Sequence, residues 1–400
     1  MKSSTGSLLA GMMFLEYFIW GAWYVTMGTY MGTHLQASGL EIGATYGALA
    51  IATMISPFFV GLVADRYFAA QKIMGVLHLL GAVILFLATK ITGSTVFYWV
   101  ILLYSLLYMP TIALSNSVAF SQMNDPGRQF PWIRVFGTLG WIAAGLLIGT
   151  MGMETSSTTF YMAAGVSLVL GLMSFILPDT PPKALATGAS SALGTEAFVL
   201  FRNKSYLIFF IAAILVCIPL SFYYGFANPF LNEIGFANAA GKMTLGQASE
   251  AIFILAIPFL FNRIGVKNML LLGMTAWLLR YVCFAYGNIA SGTWMLYAGI
   301  VLHGICYDFF FVTGYMYTEK KAGEKIKNAA QGLFTFATYG LGMFIGTGFS
   351  GWVVDRYKTV TGTHNWQSIW LVPAGIAALV LVYFLLFFRE KKAATVSTHG

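Results

Sequence analysis

The chain consists mainly of apolar runs of roughly 20 residues, separated by short polar segments. A helix of that length spans about 30 Å, which is the thickness of the hydrocarbon core of a membrane. Backbone groups in lipid must bond within the protein, and the alternating pattern of a membrane barrel is absent, so the runs predict helices. With 58% hydrophobic and 9% charged residues, the sequence predicts an all-α integral membrane protein.

The breaks between the runs predict about twelve transmembrane helices in two groups of six. A polar stretch that begins at Pro178 separates the groups, because proline cannot continue a helix. We therefore expect an N-terminal half at 1–178, a cytoplasmic linker at 179–205, a C-terminal half at 206–390 and a cytoplasmic tail at 391–400. The predicted helices lie near 8–31, 41–64, 73–90, 95–120, 131–152 and 159–178, and near 206–232, 243–262, 267–289, 292–317, 327–354 and 366–388.

Basic residues indicate how the chain is oriented. Sixteen Lys and Arg residues lie in the N-terminal segment, the C-terminal tail and the loops on that side, whereas the opposite loops carry four. The positive-inside rule therefore predicts that both termini are cytoplasmic. The net charge of +8 is explained by topology, so no nucleic-acid partner is expected.

The two halves resemble each other weakly. Helix two ends with Ser56-Pro57-Phe58 and helix eight with Ile257-Pro258-Phe259, each before a basic loop. Paired six-helix repeats with a long middle loop are typical of a major facilitator transporter, whose binding site lies between the halves near the midplane. The three cysteines lie in apolar runs without CxxC spacing, which indicates packing. No metal or cofactor is expected.

Five charged residues interrupt the apolar runs: Glu16, Arg134, Glu250, Arg280 and Asp308. An ion at bilayer depth costs several kcal/mol unless it is paired or faces a watery cavity, so these positions are candidates for function. We expect Glu16 to face such a cavity.

Two polar pairs each share one helical face. Gln247 and Glu250 are three residues apart on helix eight, and His303 and Tyr307 are four apart on helix ten. A carboxylate can bind a polar solute when ionised and carry a proton when neutral, and desolvation favours the neutral form. Imidazole and phenol can stack on a flat ring and form hydrogen bonds. Packing alone could also explain either pair.

Asp308 lies about 140° around the helix from His303. Arg280, in the middle of helix nine, is its natural partner, and the two form either a structural brace or a proton-linked pair. The brace is the preferred interpretation.

Two further polar stripes lie on helices five and seven. Arg134, Thr138 and Trp141 follow i, i+4, i+7 spacing, although an arginine near a helix end can also reach lipid headgroups. Ser221, Tyr224 and Asn228 form a stripe on helix seven. Pro219 and Pro229 interrupt that helix, and interrupted helices with polar side chains favour a cavity wall. Together the stripes suit a neutral polar solute with an aromatic ring. The residues alone predict a proton-coupled transporter of a polar metabolite.

Six segments occur in a characteristic order along the chain. They are Trp20-Gly21-Ala22-Trp23, Tyr108-Met109-Pro110-Thr111, Ile133–Gly140, Ser249-Glu250 continuing to Phe259, Leu279-Arg280 and Tyr307-Asp308-Phe309. Together they resemble the nucleoside:proton symporter family of the major facilitator superfamily, which implies a location in the inner membrane of a bacterium. The resemblance covers nearly the whole chain, and Pro219–Tyr224 and Met243–Gln247 are most similar to a branch named as nucleoside transporters.

The resemblance implies that a nucleoside enters together with a proton by alternating access. The ligand positions of the family fall on Arg134, Thr138, Trp141, Gln247, Glu250, Tyr307 and Asp308. Ser221, Tyr224 and His303 replace a glutamine, an asparagine and a tyrosine of better-known permeases, which alters the hydrogen-bonding face of the pocket. We expect a monomer.

Two other functions remain as alternatives. A symporter for a sugar or a nucleobase would use a similar set of side chains. An enzyme is disfavoured because the spans contain no HExxH, paired-aspartate or Ser-Lys arrangement. A sensor would need a signalling domain, for which neither end of the chain is long enough.

Overall fold

The computed structural model describes residues 3–59, 68–181 and 195–389. Thirteen α-helices account for most of this part of the chain, together with one 3₁₀ helix, Thr195–Arg202, and two π-helical turns, Asp308–Val312 and Phe336–Gly342. The α-helices are α1 Ser3–Trp23, α2 Met27–His34, α3 Gly39–Phe59, α4 Ala70–Ala88, α5 Ser94–Ser121, α6 Pro126–Thr150, α7 Thr158–Ser174, α8 Lys204–Glu233, α9 Ala239–Tyr286, α10 Thr293–Tyr307, α11 Thr313–Thr335, α12 Met343–Arg356 and α13 Trp366–Phe387.

Within the described residues, eleven helical segments are long and apolar enough to cross a membrane, and the shorter apolar helix α7 follows the fifth of them. Glycine with positive φ divides two continuous stretches into separate spans. Gly265, at φ +75°, breaks the helical backbone of α9 near the start of the span Arg263–Tyr286. Gly323, at φ +65°, breaks that of α11 at the end of the span Thr293–Gly323. Only glycine adopts this conformation at low cost, so the chain turns between spans without a long loop.

The sequence predicts a loop between 317 and 327, whereas the structure has helix on both sides of a sharp turn at Gly323. The Lys, Glu and Ala residues of this segment are good helix formers, so only the turn itself is non-helical. The first predicted helix also differs, because it is divided between α1 and α2 by a turn at residues 24–26.

Parts of the predicted linker and tail, the end of predicted helix two and the start of the loop after it lie outside the described residues. These parts are 182–194, 390–400 and 60–67, and the last includes Arg66. The described start of the linker is attached to the N-terminal half, where Gln71 Nε2 donates to Asp179 Oδ1 at 2.7 Å and the Thr180 amide donates to Gln71 Oε1 at 3.0 Å.

The two halves meet at one end of the molecule, where α3 packs on α12, α6 packs on the first span of α9, and α2 packs on α8. Glycine permits these close approaches. A Cβ atom on Gly43 would collide with the carbonyl oxygen of Thr347, and one on Gly149 would collide with the amide nitrogen of Gly241. Larger residues at these positions would push the halves apart, so the small residues close this end.

Two carboxylates bond across the same end in a reciprocal arrangement, which we call the carboxylate latch. Asp355 of the C-terminal half accepts hydrogen bonds from the amides of Gly39 and Leu40, at 2.6 and 2.8 Å, at the start of α3. Glu154 of the N-terminal half accepts a bond of 3.0 Å from the amide of Ala240 at the start of α9. A carboxylate at a helix N-terminus is favoured by both the free amides and the helix dipole.

Glu154 also bonds to two side chains of the opposite half. Asn228 Nδ2 and Asn232 Nδ2 each donate to Glu154 Oε2 at 2.7 Å. Thr29 of the N-terminal half donates to Asn228 Oδ1 at 2.5 Å. Asn228, which lies on the polar stripe of helix seven, therefore joins the halves at the closed end.

Candidate functional site

A cavity of about 610 Å³ lies between the two halves. All the predicted ligand positions except Ser221 and Asp308 line it, and they come from α6, α8, α9 and α10. Its volume is in the range of pockets that bind small molecules. The predicted residues that line it are Arg134, Thr138, Trp141, Tyr224, Gln247, Glu250, His303 and Tyr307.

The wall from the N-terminal half contains one cation and several aromatic rings. The Arg134 guanidinium lies over the Tyr17 ring, 4.0 Å from its centroid, and a cation in this position is attracted to the ring face. Trp141 packs edge-on against Trp20, with ring centroids 5.5 Å apart. The i, i+4, i+7 spacing therefore does bring Arg134, Thr138 and Trp141 to a single surface.

The wall from the C-terminal half carries the acid. Glu250 is partly exposed to the cavity, and its Oε2 lies 3.8 Å from Nε2 of His303. Arg134 lines the same cavity from the opposite wall. The two halves therefore bring a guanidinium and a carboxyl group to one cavity, with an imidazole beside the acid.

Aromatic rings close the cavity on the side of the carboxylate latch. Tyr24 of the N-terminal half and Tyr224 of the C-terminal half have ring centroids 5.5 Å apart, and Trp141 lies beside Tyr24 at 6.2 Å. Beyond these rings a pocket of about 20 Å³ remains, which is room for about one water molecule. The cavity therefore does not continue to the latched end.

The ion pair predicted between Arg280 and Asp308 is wrong in this structure. Arg280 Nη1 bonds His303 Nδ1 at 3.0 Å, and the guanidinium lies over the Tyr223 ring, 3.4 Å from its centroid. Because Asp308 lies about 140° around the helix from His303, an arginine that meets His303 is turned away from Asp308.

Asp308 is fully buried in the first position of the π-helical turn that follows α10. Neither of its carboxylate oxygens has a hydrogen-bond partner within the described part of the chain. Single π turns inside helices occur frequently at functional sites.

Ser221 does not reach the cavity. It is fully buried, and its hydroxyl donates to the carbonyl oxygen of Ile218 at 2.6 Å. The predicted interruption of this helix is wrong, because α8 continues through both Pro219 and Pro229. A Cβ atom on Gly346 of α12 would meet this hydroxyl at 2.7 Å, so Ser221 faces the neighbouring helix.

Glu16 does not face the cavity either, which corrects the expectation from sequence. It is fully buried between α1, α4 and α5, where His78 Nε2 lies 2.8 Å from Glu16 Oε2 and Thr111 donates to Oε1 at 2.6 Å. The hydroxyl of Tyr108 donates to the Glu16 carbonyl oxygen at 2.6 Å. Glu16 therefore has a polar environment of its own inside the N-terminal half.

Sequence reasoning missed several aromatic residues of the cavity. Tyr17, Trp20, Tyr24 and Tyr46 line it from the first two spans, and Tyr339 lines it from the second π-helical turn. The only signal was that Trp20 recurs in a segment shared with the resembled family. An isolated tyrosine within an apolar run gives no sequence signal that it faces a cavity.

The chain matches one known family over nearly all of its length. The sequence model of a family described as "Nucleoside H+ symporter" matches residues 3–393. YegT of Escherichia coli strain K12, whose name assigns it to nucleoside transport, is 43% identical, over 96% of this chain and 94% of its own length. The xanthosine permease and the nucleoside permease NupG of the same organism are 38% and 36% identical, each over 94% of both chains.

Solved structures agree with the sequence comparisons. The crystal structure of the nucleoside transporter NupG has a TM-score of 0.90 at 34% identity, and the match covers 97% of this chain and all of that chain. A bacterial homologue of the human lysosomal transporter Spinster has a TM-score of 0.77 at 12% identity, over 98% of this chain and all of that chain, which shows the fold alone. The predicted all-α major facilitator architecture is confirmed. The chain is an integral membrane protein that belongs to the nucleoside H+ symporter family.

Proposed function

We propose that this protein imports nucleosides together with protons across the bacterial cytoplasmic membrane, by alternating access of the cavity between its halves. The observation that carries the proposal is the convergence of Arg134, Trp141, Glu250 and His303 on one cavity of about 610 Å³. Flat rings can stack on a nucleobase, while the charged and polar groups can bond its edge and the ribose hydroxyls. The names of the relatives support the same class of ligand.

The proposed ligand positions come from both halves. Arg134, Thr138 and Trp141 bind from one wall, and Tyr224, Gln247, Glu250, His303 and Tyr307 bind from the other. A ligand that contacts both walls has different contacts in each state of the transporter, which is the requirement for a ligand to shift a conformational equilibrium.

The state described here is closed at the carboxylate latch. With both termini in the cytoplasm, as the basic residues predict, the latched end faces outward and the cavity serves the cytoplasmic side. Import then requires the latch to open so that the cavity is reached from outside. We propose that the transporter works as a monomer, since the cavity is built within one chain.

For proton coupling we propose Asp308 as the carrier and Glu250 as a ligand contact. An ionised carboxylate without a partner is costly inside a membrane protein, so we infer that Asp308 is neutral in this state. Glu250 lines the cavity beside His303, which suits a group that binds a polar ligand. This assignment replaces the brace role expected for Asp308 from sequence.

Binding of a ligand panel to the purified protein tests the proposed substrate class. Uridine and adenosine should bind, and unlabelled nucleosides should displace a labelled one, whereas free nucleobases and sugars should compete weakly. Displacement by a sugar or a nucleobase, with nucleosides inactive, would favour the alternative of another polar metabolite.

A further inference from the structure

A fully buried arginine lies behind the cavity wall and contacts the imidazole that faces the ligand. Arg280 is not among the cavity-lining residues, but its Nη1 lies 3.0 Å from His303 Nδ1. The guanidinium stacks on Tyr223 at 3.4 Å, and the same tyrosine ring stacks on His303 with centroids 5.2 Å apart. The three groups pack together. The chemistry of the guanidinium group then decides which atom donates the hydrogen bond between Arg280 and His303.

A guanidinium group has donors only and stays charged in proteins, so it must donate to His303 Nδ1. The Nδ1 atom is then unprotonated, and the neutral imidazole carries its hydrogen on Nε2. That atom is the one directed towards the cavity, since Nε2 lies 3.8 Å from Glu250 Oε2. A second proton would have to bind Nδ1. It would break the hydrogen bond from Arg280 and place the positive imidazolium beside the positive guanidinium.

We infer that Arg280 is a positioning residue that holds His303 as a neutral, permanent hydrogen-bond donor to the transported ligand. This inference rests on the proposed function only in its reference to a ligand. It assigns His303 the recognition of an acceptor, such as a carbonyl oxygen or an unprotonated ring nitrogen. Glu250, 3.8 Å away, is the matching acceptor for a neighbouring N–H or O–H. It also removes His303 from the candidates for carrying the coupled proton.

The other titratable groups around His303 come from three helices. Glu250 and Arg280 belong to α9, Tyr223 and Tyr224 to α8, and Tyr307 to α10 itself. Among these, Glu250 is the one carboxyl group, so a change of binding with pH can arise from Glu250 as well as from His303. A test must therefore separate the titration of His303 from that of Glu250.

Nitrogen-15 NMR of the full chain, labelled at histidine, makes this separation directly. The chain has five histidines, and the His303 signals are those lost in His303→Gln. We expect an unprotonated Nδ1 and a protonated Nε2 from about pH 5 to pH 8, the range in which free histidine titrates. A protonated Nδ1 in the wild-type protein would overturn the inference, whether or not any nucleoside binds.

Two substitutions at Arg280 connect the tautomer with binding. Arg280→Lys keeps a charged donor, whereas Arg280→Met removes it, and Arg263→Met on the exposed surface is the control. With labelled uridine and adenosine as probes, Arg280→Met should bind several-fold more weakly at pH 8 and recover at pH 5.5. Recovery is expected because imidazolium carries the Nε2 hydrogen whatever its surroundings. Arg280→Lys should stay near the wild type at both pH values.

The outcomes distinguish this inference from the proposed function. If Arg280→Met binds as tightly as the wild type at pH 8, or is weakened equally at all pH values, Arg280 does not act through the tautomer of His303. If the wild type binds neither nucleoside, the proposed function fails while the NMR result still decides the state of His303. If Arg280→Met does not fold, the wild-type NMR measurement decides alone.

Discussion

The hydroxyl groups of Tyr307 and Tyr339 lie 2.5 Å apart, and Tyr339 is the donor. Tyr307 is the last residue of α10, immediately before one π-helical turn, and Tyr339 lies inside the other, so the bond connects the two irregular segments of the C-terminal half. Because Tyr307 accepts this bond, its own hydrogen is free to be donated to a ligand in the cavity. The pair thus fixes a donor at the cavity surface.

Replacing Tyr307 with alanine should weaken nucleoside binding by more than tenfold, or about 1.4 kcal/mol. The ring supplies stacking and the hydroxyl supplies a bond, and both are lost. Tyr307→Phe should lose about three- to tenfold, since a single hydrogen bond contributes about 0.5–1.5 kcal/mol. Dissociation constants measured by calorimetry on folded variants check both values, with Tyr161→Phe on the exposed surface as control. Unchanged affinity of Tyr307→Ala would mean that this ring does not face the ligand.

Asp308→Asn should leave the protein folded and able to bind nucleoside, but should abolish accumulation driven by a proton gradient. The amide copies the shape of a neutral carboxyl and cannot release a proton. Arg280 loses nothing, because it bonds His303 and Tyr223 instead of Asp308. Binding, thermal stability and gradient-driven uptake are measured on the same preparation.

The opposite result would support the structural brace expected from sequence, in which Asp308 pairs with Arg280. In that case Asp308→Asn loses thermal stability or expression, and adding Arg280→Gln recovers part of the loss, as expected when a buried charge is stranded at a cost of about 3–5 kcal/mol. Glu250→Gln provides the comparison, because removing a charged ligand contact should weaken binding while leaving the fold intact.

Opening of the carboxylate latch should be favoured by the double substitution Glu154→Gln with Asp355→Asn. Hydrogen bonds to charged groups contribute about 1.5–3 kcal/mol each, so their loss shifts the population towards a state open at the latched end. Thr26, buried beyond the aromatic rings, reports this opening when it is replaced by cysteine. A membrane-impermeant thiol reagent should label this cysteine at least several-fold faster in the double variant.

Glu41→Gln is the matched control for the latch, because Glu41 also lies at the start of α3 but bonds to Ser38 and Ser94 of its own half. It should leave the labelling rate unchanged. Equal rates in the double variant and the control would show that the latch does not hold this end closed.

Ser221→Ala should leave nucleoside affinity unchanged within about twofold, since its hydroxyl bonds the Ile218 carbonyl and faces α12. Tyr224→Ala, one helical turn further on and at the cavity surface, should weaken binding several-fold. Dissociation constants for uridine and adenosine compare the two. A large effect of Ser221→Ala at full thermal stability would return Ser221 to the ligand site.

The sequence was sufficient to predict most of the helices. It was also sufficient to predict which polar residues share a helical face with a charged residue. Arg134, Thr138 and Trp141 lie together because their spacing fixes one face, and Gln247 and Glu250 do so for the same reason. Which way a face points depends on the neighbouring helices, and this could not be predicted for Ser221 or Glu16. His78, the partner of Glu16, comes from a different helix, and no sequence pattern connects the two.

The pairing of Arg280 was wrong for a related reason. Charge complementarity selected Asp308, whereas the packing of α9 on α10 presents Arg280 to His303 and Tyr223. A cation can be stabilised by a ring face and a neutral imidazole, and a search for opposite charges does not detect either.

The most direct test of the account is uptake of labelled uridine or adenosine into vesicles that contain only this protein and carry an imposed proton gradient. Uptake should rise with an inward proton gradient, collapse with a protonophore and disappear in Asp308→Asn, while nucleoside exchange without a gradient persists in that variant. Uptake that follows a sodium gradient and ignores pH, or transport of a sugar in place of nucleosides, would contradict it.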